Sequence, residues 1–181
     1  NGNLLEEDKQ TATEETESSE ETTDKEEANA DEADSDEEEA AEAEADEAEA
    51  ELEAAIEVEN DLRSEIVTYA LQFVGNRYKY GGTNPNTGVD CSGFTSYVMR
   101  HAAEVELPHS SGGQSRMGRL VSSSEMRPGD IICYGSGKRI NHVALYIGNG
   151  QIVHASTERT GIKVSRWNYR TPVRIVNVLG D

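Results

Sequence analysis

Apolar residues recur first at helical spacing and later at alternate positions, and the switch divides the last two-thirds of the chain. Leu62, Ile66, Tyr69, Ala70 and Phe73 stand at i, i+4, i+7, i+8 and i+11, which predicts an amphipathic helix closed by Gly75-Asn76. After the Gly/Asn/Pro-rich stretch at 81–88, a second helix is predicted from about Cys91 to Ala103, with Phe94, Tyr97, Val98 and Ala102 as its buried stripe. Beyond a Ser/Gly-rich loop at 110–115 the period falls to two. Pro128-Gly129 leads into a strand over 130–134, and 141–147 and 151–156 flank Gly148-Asn149-Gly150 as a hairpin. Residues 162–167 and 173–179 supply two more strands. Helices first and antiparallel strands after predict an α+β fold, with the helices packed on one sheet.

The segment before this pattern is of another kind. Residues 1–60 hold 27 Asp/Glu against 2 Lys/Arg, a formal charge of −25, whereas residues 61–181 hold 9 against 14, or +5. Almost nothing large and apolar precedes Leu52, so this leader cannot bury enough surface to offset chain entropy. Residues 1–40 read as disordered. From Ala28 to about Glu59 the composition is Ala plus Glu, both strong helix formers. Glu paired with Glu at i, i+4 repels itself, so a partial helix is expected there at neutral pH. Two units result: an acidic leader or linker over 1–60 and one folded domain over 61–181, long enough for a core of its own. No stretch is long and apolar enough to span a bilayer. A start at Asn1 rather than Met is expected of a processed chain or an excised piece.

Cys91 lies where the Gly-rich loop becomes a helix. Helix N-terminal amides stabilise a thiolate, so a lowered thiol pKa is expected there. Cys133, in the apolar run at 131–134, reads as a small buried residue. Two cysteines are too few for a disulfide framework, and pairing them would leave no thiolate. A nucleophilic cysteine needs a base, and the base needs an orienting group. His142 and His154 lie on the two hairpin strands, and register decides whether they meet. A three-residue loop closed by Ile147 and Gln151 puts His154 opposite Ala144, with His142 on the same face. A two-residue turn at Asn149-Gly150 would put the imidazoles on opposite faces, because one step of register flips every side chain. The Gly-X-Gly spelling admits the longer loop, and a shared face is the expectation.

These residues resemble the NlpC/p60 cysteine peptidases of bacterial cell walls, from about Ile66 to Val178. The resemblance runs through Tyr78-Lys79-Tyr80-Gly81-Gly82, Asp90-Cys91-Ser92-Gly93-Phe94, Leu107-Pro108-His109-Ser110-Ser111 with Gln114, Arg127-Pro128-Gly129-Asp130, 142–148 and Val153-His154-Ala155. It implies a papain-like core and a Cys91-His142-His154 triad. In that triad Cys91 attacks an amide carbonyl, His142 serves as base and then acid, and His154 holds the imidazole. It also implies that Tyr78 donates to the oxyanion, with the Cys91 amide as the other donor. Asp90, Ser92 and Ser110 fall where the family holds the free amino end of a substrate, although Asp90 equally suits a helix N-cap. The implied activity is hydrolysis of peptidoglycan stem peptides at the γ-D-glutamyl–diamino acid bond, by a secreted, wall-associated monomer without cofactor or metal. Domains upstream of residue 1 are compatible with it. The chain carries no SH3-like wall-binding repeat, and its loop at 83–88 is longer than usual for the family.

Other readings are weaker. An amidase or acyltransferase would share the cysteine and histidine but not the Asp-Cys-Ser-Gly-Phe and Arg-Pro-Gly-Asp spellings. A non-catalytic wall-binding module would not need an intact triad. A metal site from Cys91, Cys133, His142 and His154 matches no zinc spacing. Nucleic acid is disfavoured, because the leader repels phosphate and the +5 domain has no concentrated basic run. The leader itself reads as a solvated spacer.

Overall fold

A computed structural model describes residues 33–181. Residues 1–32, which carry most of the expected disorder, lie outside the described residues. The chain divides into two units, Asn1–Ala45 and Asp46–Asp181, and the second contains the sheet and the candidate site. The first helix, α1, spans Ala33–Leu71 and so takes in residues 33–40, where composition predicts disorder. High Ala and Glu propensity is the physical reason. No helix among the described residues is long and apolar enough to cross a membrane.

After α1 come β1 (Thr83–Asn84), β2 (Gly88–Val89), α2 (Cys91–Ala103), α3 (Ser111–Gln114) and β3 (Arg119–Leu120). Next are β4 (Ile131–Ser136), β5 (Arg139–Gly148), β6 (Gln151–Thr157), β7 (Gly161–Arg166) and β8 (Pro172–Asn177). β1 and β2 form a small ladder, and the remaining strands form a six-stranded antiparallel sheet in the order β3-β8-β4-β5-β6-β7. The α+β expectation holds. The short α3 stands where a loop was expected, because the Ser110 hydroxyl caps it by accepting from the Gly113 amide. The two-residue β3 is too brief to carry a period.

Period-two alternation assigns the sheet's two faces. Ile131, Cys133, Val143, Leu145, Val153 and Ala155 share a core with Ile66 and Ala70 of α1 and Phe94 and Val98 of α2. Ile132, Tyr134, Ala144, Tyr146 and Ile152 face the other way and are covered by Met126 and Trp167. Each large apolar side chain taken fully out of water contributes about 1.5–3 kcal/mol. Phe73 joins the helices by edge-on contacts, 6.3 Å from the Phe94 ring and 5.7 Å from Tyr97. It lies just past α1, where the chain tightens into i→i−3 turns through Val74 rather than staying α-helical to Gly75.

A buried ion network fixes α1 to the sheet. Arg63 is 2% exposed and donates to Asp130 (3.1 Å), to the Pro128 carbonyl (2.6 Å) and to Asp181 (2.6 Å). Arg127 joins Asp181 at 2.7 Å and also bonds Glu59 of α1. The Arg-Pro-Gly-Asp turn therefore works structurally, presenting a carboxylate and a carbonyl to one guanidinium. Removing a buried cation strands its partners, which costs about 3 kcal/mol or more. Arg63→Ala should lower unfolding free energy by about that amount in urea titration, whereas Arg119→Ala, which loses an exposed bond to the Asp181 carbonyl, should change it by about 0.5 kcal/mol or less. Equal effects would mean that the network does not fix α1 to the sheet.

Candidate active site

Cys91 is the first residue of α2, and Asp90 is its N-cap. The Asp90 carboxylate accepts from the Gly93 amide at 2.8 Å and from the Gly81 amide at 3.0 Å. One short acidic side chain thus satisfies the helix start and pins the 81–82 turn upon it. Gly93 is required by that turn: a Cβ there would lie 2.2 Å from the Gly82 carbonyl oxygen. Cys91 is a half-buried free thiol. The backbone amides of Val143, one residue past His142, of Ser92 and of Cys91 itself act to lower the thiol's pKa. Burial nevertheless outweighs these donors, and with the Asp90 charge it pushes the thiol above its ordinary value. The lowered thiol pKa expected from the helix start alone is thus corrected, because desolvation of the anion exceeds the help from the amides. Cys133 is fully buried and its thiol is pushed up to about 12.

The hairpin brings the histidines together by a route that combines both loop readings. Its turn is the two-residue Asn149-Gly150, with both residues at positive φ (52° and 71°), closing between Gly148 and Gln151. A bulge between Tyr146 and Gly148 then shifts the ladder by one residue, and pairing resumes at Tyr146↔Ile152 and Leu145↔Val153. Ala144 and His154 are the next positions in that register, which leaves both imidazoles on one face. His142 Nε2 and His154 Nδ1 are 2.7 Å apart, and His154 Nε2 lies 2.9 Å from the Ser165 hydroxyl.

Both rings are out of water, with His142 8% and His154 1% exposed. Burial, with the nearby Arg170 charge, pulls His142 down to about 4. Burial, then His142 and Lys163, pulls His154 down to about 3. At neutral pH the pair is therefore uncharged, and one ring must donate to the other. If Ser165 accepts from His154 Nε2–H, then His154 Nδ1 accepts from His142 Nε2–H, and His142 Nδ1 is left with a free lone pair.

The other expected residues surround this centre to different degrees. Tyr78 is bridged to Val89 next to the N-cap, and its hydroxyl pKa is raised by burial and by the Cys91 and Asp90 charges. Ser92 is buried with its hydroxyl 3.4 Å from Asp90, whereas Ser110 caps α3. His109 places Nε2 2.7 Å from Asp90, so that carboxylate already has a cationic or donor partner. Gln114 is fully buried and bonds Thr95, Ser96 and the Ser92 and Pro108 carbonyls, which fixes the 107–114 segment to α2.

Sequence reasoning missed Ser165, Tyr169 and Arg170. Ser165 pairs with Ile152, so it is a diagonal neighbour of His154 on the same face; the strand register would have found it. Tyr169 and Arg170 sit in the β7–β8 loop, which carries no periodic signal. The Tyr134 hydroxyl holds that loop over the histidines by donating to the Trp167 carbonyl at 2.6 Å. Among the described residues, no three His, Cys, Asp or Glu side chains form a metal-holding group.

The histidines make a pH prediction for stability. Their folded pKa values lie below the unfolded value near 6.5, so the unfolded chain binds more protons once pH falls below about 6.5. Stability is full above that point and declines as pH drops toward 4 and then 3. Between pH 7.5 and 5 the loss should be about 2 kcal/mol per histidine. Urea titrations of wild type and His142→Gln/His154→Gln check this: the double variant should lose the slope, and an unchanged slope would contradict it.

Comparison with known proteins accords with this geometry. The NlpC/P60 family profile matches residues 75–175. Murein DD-endopeptidase MepS/murein LD-carboxypeptidase of Escherichia coli K12 is 41% identical over 108 residues, 60% of this chain and 56% of that protein. The probable endopeptidase p60 of Listeria seeligeri is 42% identical over 98 residues, 54% of this chain and 18% of that protein. The chain therefore spans about half or less of these relatives' length. The crystal structure of the NlpC/p60 domain of the peptidoglycan hydrolase SagA superposes with a TM-score of 0.59 at 32% identity, covering 64% of this chain and 97% of that domain. The peptidoglycan hydrolase RipB of Mycobacterium tuberculosis gives 0.58 at 29% identity over 66% of this chain and 65% of its own. With the profile spanning more than half of the sequence, the chain belongs to the NlpC/P60 family.

Proposed function

We propose that this protein is a cysteine peptidase that hydrolyses peptidoglycan stem peptides. The observation that carries the reading is Cys91 at a helix start with Val143 of β5 beside it, the residue that follows His142, which is itself bonded to His154. In this mechanism the resting pair is thiol and neutral imidazole. His142 Nδ1 takes the Cys91 proton as the sulfur attacks the amide carbonyl carbon. The oxyanion accepts from the Cys91 amide and the Tyr78 hydroxyl. The His142 imidazolium then protonates the departing amine, leaving a thioester, and returns as base for the water that cleaves it. His154 and Ser165 keep His142 in the competent tautomer. Asp90, Ser92 and Ser110 border the side where the substrate's amino end is held, with His109 as the group it displaces from Asp90.

The γ-D-glutamyl–diamino acid bond is the first choice of target, on the resemblance of the Tyr78, Asp90 and Ser110 positions. The 41% identity to a protein named DD-endopeptidase and LD-carboxypeptidase supports a second choice, a bond nearer the stem's D-alanine end. We read residues 61–181 as the peptidase domain and 1–60 as an acidic spacer of a secreted, wall-associated monomer.

Digestion of purified peptidoglycan with products identified by mass tests the reading and names the bond. Cys91→Ala and His142→Ala should each lower kcat/KM by about 10³-fold or more, and His154→Ala by about 10²-fold, because the base survives while its tautomer and orientation are lost. Undiminished turnover by Cys91→Ala would end the peptidase proposal.

A further inference from the structure

Resting on that reading, we propose that Arg170 is the anchor for a carboxylate of the peptide substrate beside the scissile amide. The loop between β7 and β8 places its guanidinium next to the histidines. Arg170 Cζ stands 5.7 Å from the Tyr134 ring centroid, and that ring lies 5.9 Å from the His142 ring. One arm of the guanidinium donates to the Asn141 side chain at 3.0 Å, and Asn141 immediately precedes His142. Tyr169, the residue before Arg170, packs 5.4 Å from His154.

Arg170 is thus held in place by neutral groups: an amide oxygen and an aromatic face. Among the described residues no carboxylate lies within ion-pairing distance of it, in contrast to Arg63 and Arg127. A guanidinium fixed by neutral partners raises the cost of protonating the nearby His142. Its planar donors remain suited to a carboxylate, which it would bind by charge-assisted, paired hydrogen bonds. Asp90 stands next to Cys91 with the opposite sign. The centre therefore offers an acid for a substrate ammonium and a guanidinium for a substrate carboxylate. A peptide with a γ-linked glutamyl residue carries a free α-carboxylate close to the scissile bond, and a stem peptide also carries one at its C-terminus.

The test uses L-alanyl-γ-D-glutamyl-diaminoacyl-D-alanine and two versions of it, one amidated at the glutamyl α-carboxyl and one at the C-terminus. In wild type, one amidation should lower kcat/KM by about 10- to 100-fold, and which one identifies the carboxylate. Arg170→Gln should lose the same factor on the unmodified peptide and nothing further on that amidated one, while Arg170→Lys recovers part of the preference. Arg170→Gln lowering all three peptides equally, with a common shift of the pH profile, would overturn the proposal: the charge would act only on His142. Binding of the three peptides to Cys91→Ser protein by calorimetry separates the two readings. Discrimination in binding without wild-type turnover fails the peptidase reading alone. Turnover or binding without discrimination fails the carboxylate site.

Discussion

The hydrogen bond between His142 and His154 is the contact on which the rest of the site depends, and it exists because of one extra residue in a hairpin. Asn149-Gly150 makes the tight turn favoured by strand twist, and by itself it would put the two rings on opposite faces. The bulge at Ile147 restores the shared face. One strand then presents a ring whose Nε2 is engaged, and its neighbour Val143 acts on the Cys91 thiol. In the proposed mechanism the sheet supplies the base and α2 the thiol, and the core shared by Phe94, Val98, Val143 and Leu145 joins the two elements.

Burial sets the chemistry of this arrangement. A helix start and three amides favour the thiolate, yet the desolvated thiol lies above its ordinary value, while both histidines lie far below theirs. A resting thiolate–imidazolium pair is disfavoured from both sides, which is why the proposed mechanism places proton transfer in the attack step. The Asp90 carboxylate beside Cys91 works in the same direction. Its proximity is the cost of a cap that also pins the 81–82 turn, and the Gly93 site leaves no room for another solution.

Much of this was legible in the sequence. Period-two alternation located β4 to β8, and helical spacing located α2 to the residue, because those patterns are consequences of burial on one face. Asp90-Cys91 declared a capped helix start. The bulge was not legible, since Gly-Asn-Gly spells both a longer loop and a tight turn joined to a bulge. The thiol's raised pKa was missed because a helix terminus is visible in a sequence and the burial depth of its first side chain is not. Ser165 needed a register, and Tyr169 and Arg170 needed a loop's path, which is set by long-range bonds such as Tyr134–Trp167 and Arg170–Asn141. The early turns of α1 went the other way: strong Ala and Glu propensity outweighed the absence of a hydrophobic stripe.

The chemistry turns on whether the His142–His154–Ser165 relay leaves a bare lone pair on His142 Nδ1. Long-range nitrogen–proton NMR of the histidine-labelled protein at neutral pH reads that tautomer directly. The relay requires a neutral His142 protonated at Nε2, and a neutral His154 also protonated at Nε2. His142 found protonated at Nδ1, or as imidazolium, would contradict it.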